Sequence, residues 1–151
     1  VTRTSSADRA LIAVLSLARN VLLYLASADA AKADRAEVLL ADGGTVSVQV
    51  LNEISNVAIR KHGMTWTQVG ILLEPVRALC RIEPLTEATY DLGAELAARY
   101  RLSVYDAMIV AAALLAGADT LYSEDMHDGL LIEGQLRIRN PFRARSVQDV
   151  P

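Results

Sequence analysis

Residues 107–118, AMIVAAALLAGA, contain no charged side chain and no side chain that can form a hydrogen bond. A helix built from such a stretch is apolar on every side, and it is stable only when other elements cover it. The stretch therefore predicts a helix in the interior of the fold. Asp106, which immediately precedes it, would begin this buried helix with a carboxylate.

Short apolar strands and amphipathic helices alternate along the rest of the chain. TVSVQV alternates and is rich in β-branched residues, whereas LNEISNVAIRKHG has one apolar face and ends at Gly63. This alternation indicates βαβ units, and therefore an α/β fold with a mainly parallel sheet covered on both faces. The predicted strands are 10–17, 45–50, 81–85, 119–123 and 136–140; the predicted helices are 20–41 (in one or two pieces divided near 27–29), 51–63, 65–79, 86–100 and 103–116.

The length and composition favour one domain with an aliphatic core. The 151 residues are 52% hydrophobic and only 5% aromatic, so that Ala, Leu, Val and Ile must fill the interior. No repeat or linker divides them, so we expect a single domain over 1–151 with its core at about 10–142. The lone cysteine, Cys80, is expected to be a small buried hydrophobe, and a chain without disulfides fits a reducing compartment.

The N-terminal segment imitates a signal peptide, since two arginines precede the apolar run 10–18. Arg19 interrupts that run, and no window reaches the roughly 20 apolar residues that a membrane span needs. We therefore expect a cytoplasmic protein that does not interact with membranes.

The charge balance does not favour bulk attraction to polyanions, because the net charge is −3 and the pI is near 5.3. Basic residues are concentrated only in QLRIRNPFRAR, which holds Arg137, Arg139, Arg143 and Arg145. This cluster is either a local nucleic-acid face or a solvated terminal face, and the sequence leaves both open.

Three carboxylates stand where packing does not require one. Asp106 shares a helical stripe with Ile109 and Val110, although Ser103 to Asp106 also matches a capping box. Glu53 lies near the start of the helix after strand 45–50, where an acid also suits the helix dipole. Asp125 closes Ser123-Glu124-Asp125 after strand 119–123, where a loop acid is common.

These three acids share a predicted location, the carboxyl side of the sheet, where α/β proteins bind ligands. Converging carboxylates without a soft ligand nearby indicate an oxygen-donor site for Mg²⁺ or Mn²⁺. Such ions serve phosphodiester cleavage by activating water and neutralising charge in the transition state. No glycine-rich phosphate loop follows a predicted strand, which argues against a nucleotide-binding enzyme.

The order of these motifs resembles the PIN domain. The resemblance is strongest to VapC-type ribonuclease toxins of prokaryotic toxin–antitoxin pairs, and it extends over roughly residues 12–142. Four motifs carry it in the same order: the strand before Asn20-VLLYL, the Glu of LNEISNVAIRK, the Asp of YDAMIVAAA and the acid of SEDM. The resemblance implies an α/β/α sandwich, Mg²⁺- or Mn²⁺-dependent endoribonuclease chemistry on an RNA substrate, a homodimer and an antitoxin partner.

The resemblance also assigns roles to individual residues. Glu53, Asp106 and Asp125 would be the metal-binding acids, Asn20 would order the site, and Ser123 would support the loop. The family's first acid belongs two positions before Asn20, where this chain has Ala18.

Loss of that acid leaves a bound cation with one oxygen ligand fewer, and Arg19 adds a competing positive charge. Two hypotheses follow: a metal-dependent endoribonuclease toxin with weakened or lost activity, and a non-catalytic module of the same fold that binds an antitoxin-like partner or RNA. The apolar helix 65–79, which carries Trp66, is expected to contribute to the dimer interface.

Overall fold

The computed structural model describes Tyr24 and residues 28–143. Helices and short strands alternate through this part of the chain, which confirms the predicted α/β class. The strand predicted at 10–17 lies outside the described residues. The helices are α1 (Ala30–Ala41), α2 (Val48–His62), α3 (Trp66–Leu79), α4 (Glu87–Tyr100) and α5 (Val104–Leu115), and the strands are β1 (Thr45–Ser47), β2 (Arg81–Glu83), β3 (Thr120–Tyr122), β4 (Leu131–Ile132) and β5 (Leu136–Arg139).

The strands pair mainly in parallel, as the alternation of elements predicts. β1 lies beside β2 in parallel, and β3 lies beside β5 in parallel, with Leu121 opposite Ile138. β4 pairs with β5 in the antiparallel direction through a tight turn closed by a 2.9 Å bond from the Gln135 amide to the Ile132 carbonyl. The sequence analysis missed β4, because a two-residue strand is too short to show an alternating pattern.

Capping residues define several helix ends at the predicted places. The Asp29 carboxylate accepts the Lys32 amide at 3.2 Å and begins α1, at the division expected near 27–29. Gly63 adopts a left-handed backbone with φ of 62° and ends α2. Thr65 and Gln68 then form a reciprocal capping box at the start of α3.

The strand predicted at 45–50 was wrong in its second half. The chain is extended only to Ser47, whose hydroxyl accepts the Val50 amide at 3.2 Å and caps a helix that begins at Val48. Val48 and Val50 favour a strand locally, but the cap and the burial of Val50 stabilise the helix instead. Glu53 therefore lies in the second turn of α2 rather than in the first.

Helix α5 lies in the interior, as its sequence predicts. Every residue from Ala107 to Ala113 is buried, and α5 packs against α2, α4 and β1. Gly93 allows α4 to lie close to α5, because a Cβ at position 93 would collide with the Met108 side chain of α5.

The core is aliphatic, also as predicted. All seven aromatic residues belong to the described part of the chain, and none of them is buried. Cys80 is buried, and this burial raises the pKa of its thiol to about 11, so that the group stays protonated at neutral pH. Among the helices of residues 28–143, none has the length and hydrophobicity needed to cross a lipid bilayer.

Candidate active site

The loop that follows β3, residues 123–130, is here called the acid loop, because it carries Glu124, Asp125 and Asp128. Its first residue, Ser123, is fully buried. The Ser123 amide donates to the Arg139 carbonyl at 2.9 Å, and the Ser123 hydroxyl accepts the Met126 amide at 3.2 Å. These two bonds fold the loop back at the carboxyl end of β3 and leave Asp125 exposed.

A second set of contacts ties the far end of the acid loop to the residues after β5. The Asp128 carboxylate accepts the Asn140 amide at 2.8 Å and pairs with the Arg143 guanidinium at 3.0 Å. The hydrogen bond from the Asn140 amide and the nearby Arg143 guanidinium together lower the pKa of Asp128. The Arg137 side chain also donates to the Gly129 carbonyl at 2.8 Å.

The basic cluster predicted at residues 137–145 is therefore divided between two roles. Arg137 and Arg143 hold the acid loop, whereas Arg139 is exposed. Arg145 lies outside the described residues. The Arg143 side chain holds the loop while remaining 72% exposed.

Glu124 is fixed by a cluster of residues from distant parts of the chain. Lys32 in α1 donates to Glu124 at 2.9 Å and to the Tyr24 hydroxyl at 3.0 Å, and Tyr24 donates to the other Glu124 oxygen at 2.8 Å. The Lys32 ammonium also lies 4.5 Å from the centre of the Tyr24 ring, which packs edge-on against Phe142. Hydrogen bonds from Lys32 to Tyr24 and to Glu124 raise the pKa of this lysine, so it stays charged.

Sequence reasoning missed this cluster, since no local pattern connects residues 92 and 100 positions apart. Its effect on the site is indirect: Glu124 is held towards α1, and Asp125 follows it directly in the chain. The neighbouring contact from the Arg35 side chain to the Pro141 carbonyl, at 3.1 Å, joins α1 to the segment after β5. The acid loop is thus bonded at its start, in its middle and at its end.

Asp106 lies in the first turn of α5. The Ser103 hydroxyl accepts the Asp106 amide at 3.1 Å, and the Asp106 side chain is half-buried. At the other end of α5, Gly117 is left-handed and two backbone bonds close the turn, from Gly117 to Leu114 and from Ala118 to Ala113. This short turn leads straight into β3, and Asp106 lies at the opposite end of α5 from the turn.

Glu53 lies on the border of the buried face of α2. Its side chain is half-buried, and its Oε2 atom is out of reach of solvent. Buried Ile54 and Val57 occupy the adjacent face and fix the rotation of the helix. Each of the three predicted acids, Glu53, Asp106 and Asp125, takes part in at least one interaction with the rest of the chain.

The carboxylates of Glu53, Asp106 and Asp125 are oxygen donors of the kind that a hard divalent cation prefers. Tyr24 and residues 28–143 alone do not gather three acidic, histidine or cysteine side chains into a group that could hold a metal ion. The predicted site residue Asn20, and Ala18 two positions before it, lie outside the described residues. His127 is exposed in the acid loop.

The family model described as PIN domain matches residues 17–127. The chain belongs to the PIN domain family. Nucleases of this family generally use divalent metal ions. No curated protein sequence matches this PIN domain chain.

Two solved structures share the PIN fold. A toxin–antitoxin complex from Klebsiella pneumoniae has a TM-score of 0.65 at 20% identity, and the match covers 87% of this chain and 100% of that chain. VapC20 of Mycobacterium tuberculosis, described as a sarcin-ricin loop cleaving toxin, has a TM-score of 0.58 at 22% identity, with coverage of 72% and 88%. At these identities the similarity shows the fold.

Proposed function

We propose that this chain is an endoribonuclease of the PIN family and the toxin of a toxin–antitoxin pair, with cleavage that depends on Mg²⁺ or Mn²⁺ and is weakened or lost because Ala18 replaces the first carboxylate. The match of the PIN domain model over residues 17–127 carries this proposal. The toxin described in VapC20 and the complex from K. pneumoniae support the choice of RNA as substrate and an antitoxin as partner.

In this proposal Glu53, Asp106 and Asp125 would hold the divalent cation, which would supply Lewis acidity for phosphodiester hydrolysis. Asp106 has rigid support, since it lies in the first turn of a helix whose residues from Ala107 to Ala113 are all buried. The Ser123 hydroxyl keeps the acid loop folded through its bond to Met126, and Asn20 would orient the site through hydrogen bonds. Because position 18 has no carboxylate, the proposed set of oxygen ligands has one member fewer.

The experiment restores the missing acid. We expect Ala18→Asp to raise Mn²⁺- or Mg²⁺-dependent RNA cleavage about tenfold or more, because loss of a single interaction that supports a metal costs this much in other sites. Ala18→Asn is the matched control, since it adds similar bulk without the charge. The double variant Ala18→Asp with Asp106→Asn should return to the starting rate. A folded Ala18→Asp protein that cleaves no faster than the natural chain would contradict the proposal.

A second candidate function follows from the same substitution at position 18. A PIN-fold module without catalysis would bind an antitoxin-like partner or RNA and would need no metal. Calorimetric titration with Mn²⁺ separates the two candidates: tight binding of a partner chain without any metal binding selects the non-catalytic module.

Quaternary structure and location complete the proposal. Helix α3 exposes Trp66, Ile71 and Leu79, whereas its Val69, Leu73 and Val76 are buried in the core of the same chain. We assign the C-terminal part of α3, around the exposed Leu79, to a homodimer contact. We place the protein in the cytoplasm, where an RNA target and an antitoxin would be available.

A further inference from the structure

A groove of about 370 Å³ lies between the outer face of α2 and the first turn of α3. It is called here the α2 groove, and its volume is within the range of about 300–1,000 Å³ that is usual for small-ligand sites. It begins beside Glu53 in the chain and extends along about 12 Å of helix, at 1.5 Å per residue. It is lined by Asn52, Ser55, Asn56, Ile59, Arg60 and Trp66.

The polar side chains in the α2 groove are available to a ligand. Asn52 and Asn56 lie one helical turn apart, and their side-chain amides form no hydrogen bond with any described residue. Arg60 lies one further turn along and forms no ion pair within residues 28–143. Only the Ser55 hydroxyl is already engaged, as a donor to the Leu51 carbonyl at 2.7 Å.

Trp66 forms the end of the α2 groove and is 73% exposed. It is the only tryptophan of the chain, and it lies inside the capping box, directly after Thr65 and two residues before Gln68. The cap fixes the backbone that carries the indole ring. A large aromatic side chain that is both positioned and exposed is typical of a surface on which a planar ligand stacks.

The charge of the α2 groove favours a polyanion. Its lining contains an arginine and no carboxylate, and the helix continues with exposed Lys61 and His62. Ile59 is the single aliphatic side chain in the lining, which is too little for an apolar peptide segment. Amides, an arginine and an exposed indole are the groups that read the edge, the phosphate and the face of an unpaired nucleotide.

We propose that the α2 groove binds an unpaired nucleotide of single-stranded RNA. The base stacks on Trp66, its hydrogen-bonding edge meets the amides of Asn52 and Asn56, and Arg60 contacts a phosphate. This inference rests on the proposed function, because it assigns a substrate-binding surface beside the candidate acid Glu53. It also specifies the substrate further, since a duplex offers neither a free base face nor a free Watson–Crick edge.

The test measures binding to the full chain in EDTA, so that cleavage does not interfere. The probe is a ten-nucleotide single-stranded RNA with a terminal fluorophore, used alone and annealed to its complement. We expect the single strand to quench Trp66 fluorescence and the duplex to leave it unchanged. Trp66→Ala should weaken binding measured by fluorophore anisotropy about 5- to 150-fold, the usual range for a lost base–aromatic stack.

Three further variants sharpen the result. Trp66→Phe should retain a measurable part of the affinity, because it keeps an aromatic face. Arg60→Gln should lower the slope of log affinity against log salt by about one, as expected for one phosphate contact. Tyr90→Ala removes another exposed aromatic side chain, 59% exposed on α4, and should bind within about twofold of the natural chain.

Several outcomes would overturn the proposal. Trp66→Ala that binds the single strand as tightly as the natural chain would exclude the stack, and equal binding of the duplex would exclude an unpaired base. If Trp66→Ala changes the sedimentation coefficient from that of a dimer to that of a monomer, the groove is a contact between two copies. If Ala18→Asp cleaves RNA while Trp66→Ala binds normally, this subsite is wrong and the proposed function stands; if the chain neither binds nor cleaves RNA, the proposed function fails as well.

Discussion

The acid loop and the α2 groove differ in how their polar side chains are used. In the acid loop, Ser123, Glu124 and Asp128 are all bonded to other parts of the chain. In the α2 groove, Asn52, Asn56 and Arg60 form no side-chain hydrogen bond or ion pair with a described residue. A polar group that is already paired contributes to a fixed geometry, whereas an unpaired exposed group costs the fold nothing and stays free for a ligand. The acid loop is therefore organised by folding, whereas the α2 groove keeps polar groups that the fold does not use.

The largest effect should come from α5, the largely buried helix that carries Asp106 in its first turn. Ile109 is 2% exposed, so Ile109→Ala should lower the free energy of unfolding by about 2–5 kcal/mol through lost burial and a cavity. Urea unfolding followed by far-UV circular dichroism measures it. Ile59→Ala in the α2 groove is the matched control and should cost less than half as much, because Ile59 is only half-buried. Equal losses at the two sites would contradict the comparison.

A smaller and local effect should follow when the Lys32 contact to the acid loop is weakened. Glu124→Gln removes the charge that pairs with Lys32 at 2.9 Å, so the amides of residues 123–130 should exchange hydrogen faster. Exchange followed by NMR or mass spectrometry measures the change. Asn56→Ala, which breaks no bond within the described part of the chain, should leave that exchange as it was. Unchanged protection of the acid loop in Glu124→Gln would show that the cluster does not hold it.

The smallest effect should appear only in acid. Because the folded chain lowers the pKa of Asp128, its contacts to Asn140 and Arg143 stabilise the fold fully above the ordinary aspartate pKa of about 3.9, and this stabilisation is lost as the pH falls through the lower, folded value. Melting temperatures between about pH 5 and pH 2 should therefore fall less steeply in Asp128→Asn than in the natural chain. Arg60→Gln should keep the natural pH dependence. Parallel curves for the natural chain and Asp128→Asn would contradict the assignment.

Local chemistry made much of this fold predictable from sequence. Gly63, Thr65 and Asp29 define helix ends through backbone and side-chain bonds between residues at most five positions apart, and such signals are visible in a short window. The buried helix α5 was predictable because no polar side chain interrupts it. The start of α2 was mispredicted because Val48 and Val50 favour a strand, and only the Ser47 cap decides against it.

The candidate site was less accessible to sequence reasoning. The acids Glu53, Asp106 and Asp125 could be selected by their places after strands and before a buried helix. The bonds that Lys32 and Tyr24 make with Glu124 could not, because they depend on tertiary packing across most of the chain. Trp66 was likewise predictable only as part of an apolar helix, because the exposure of its side chain depends on which face of α3 packs inward.

The aliphatic core has a spectroscopic consequence. No aromatic side chain is fully buried, although Tyr24, Tyr100, Tyr122 and Phe142 pack against the core from its edge. Tryptophan emission from this protein reports on the surroundings of a single surface position, Trp66, and it should change little when the interior unfolds. Tryptophan emission is therefore nearly insensitive to folding and informative about this surface, so that an unfolding experiment needs a different signal.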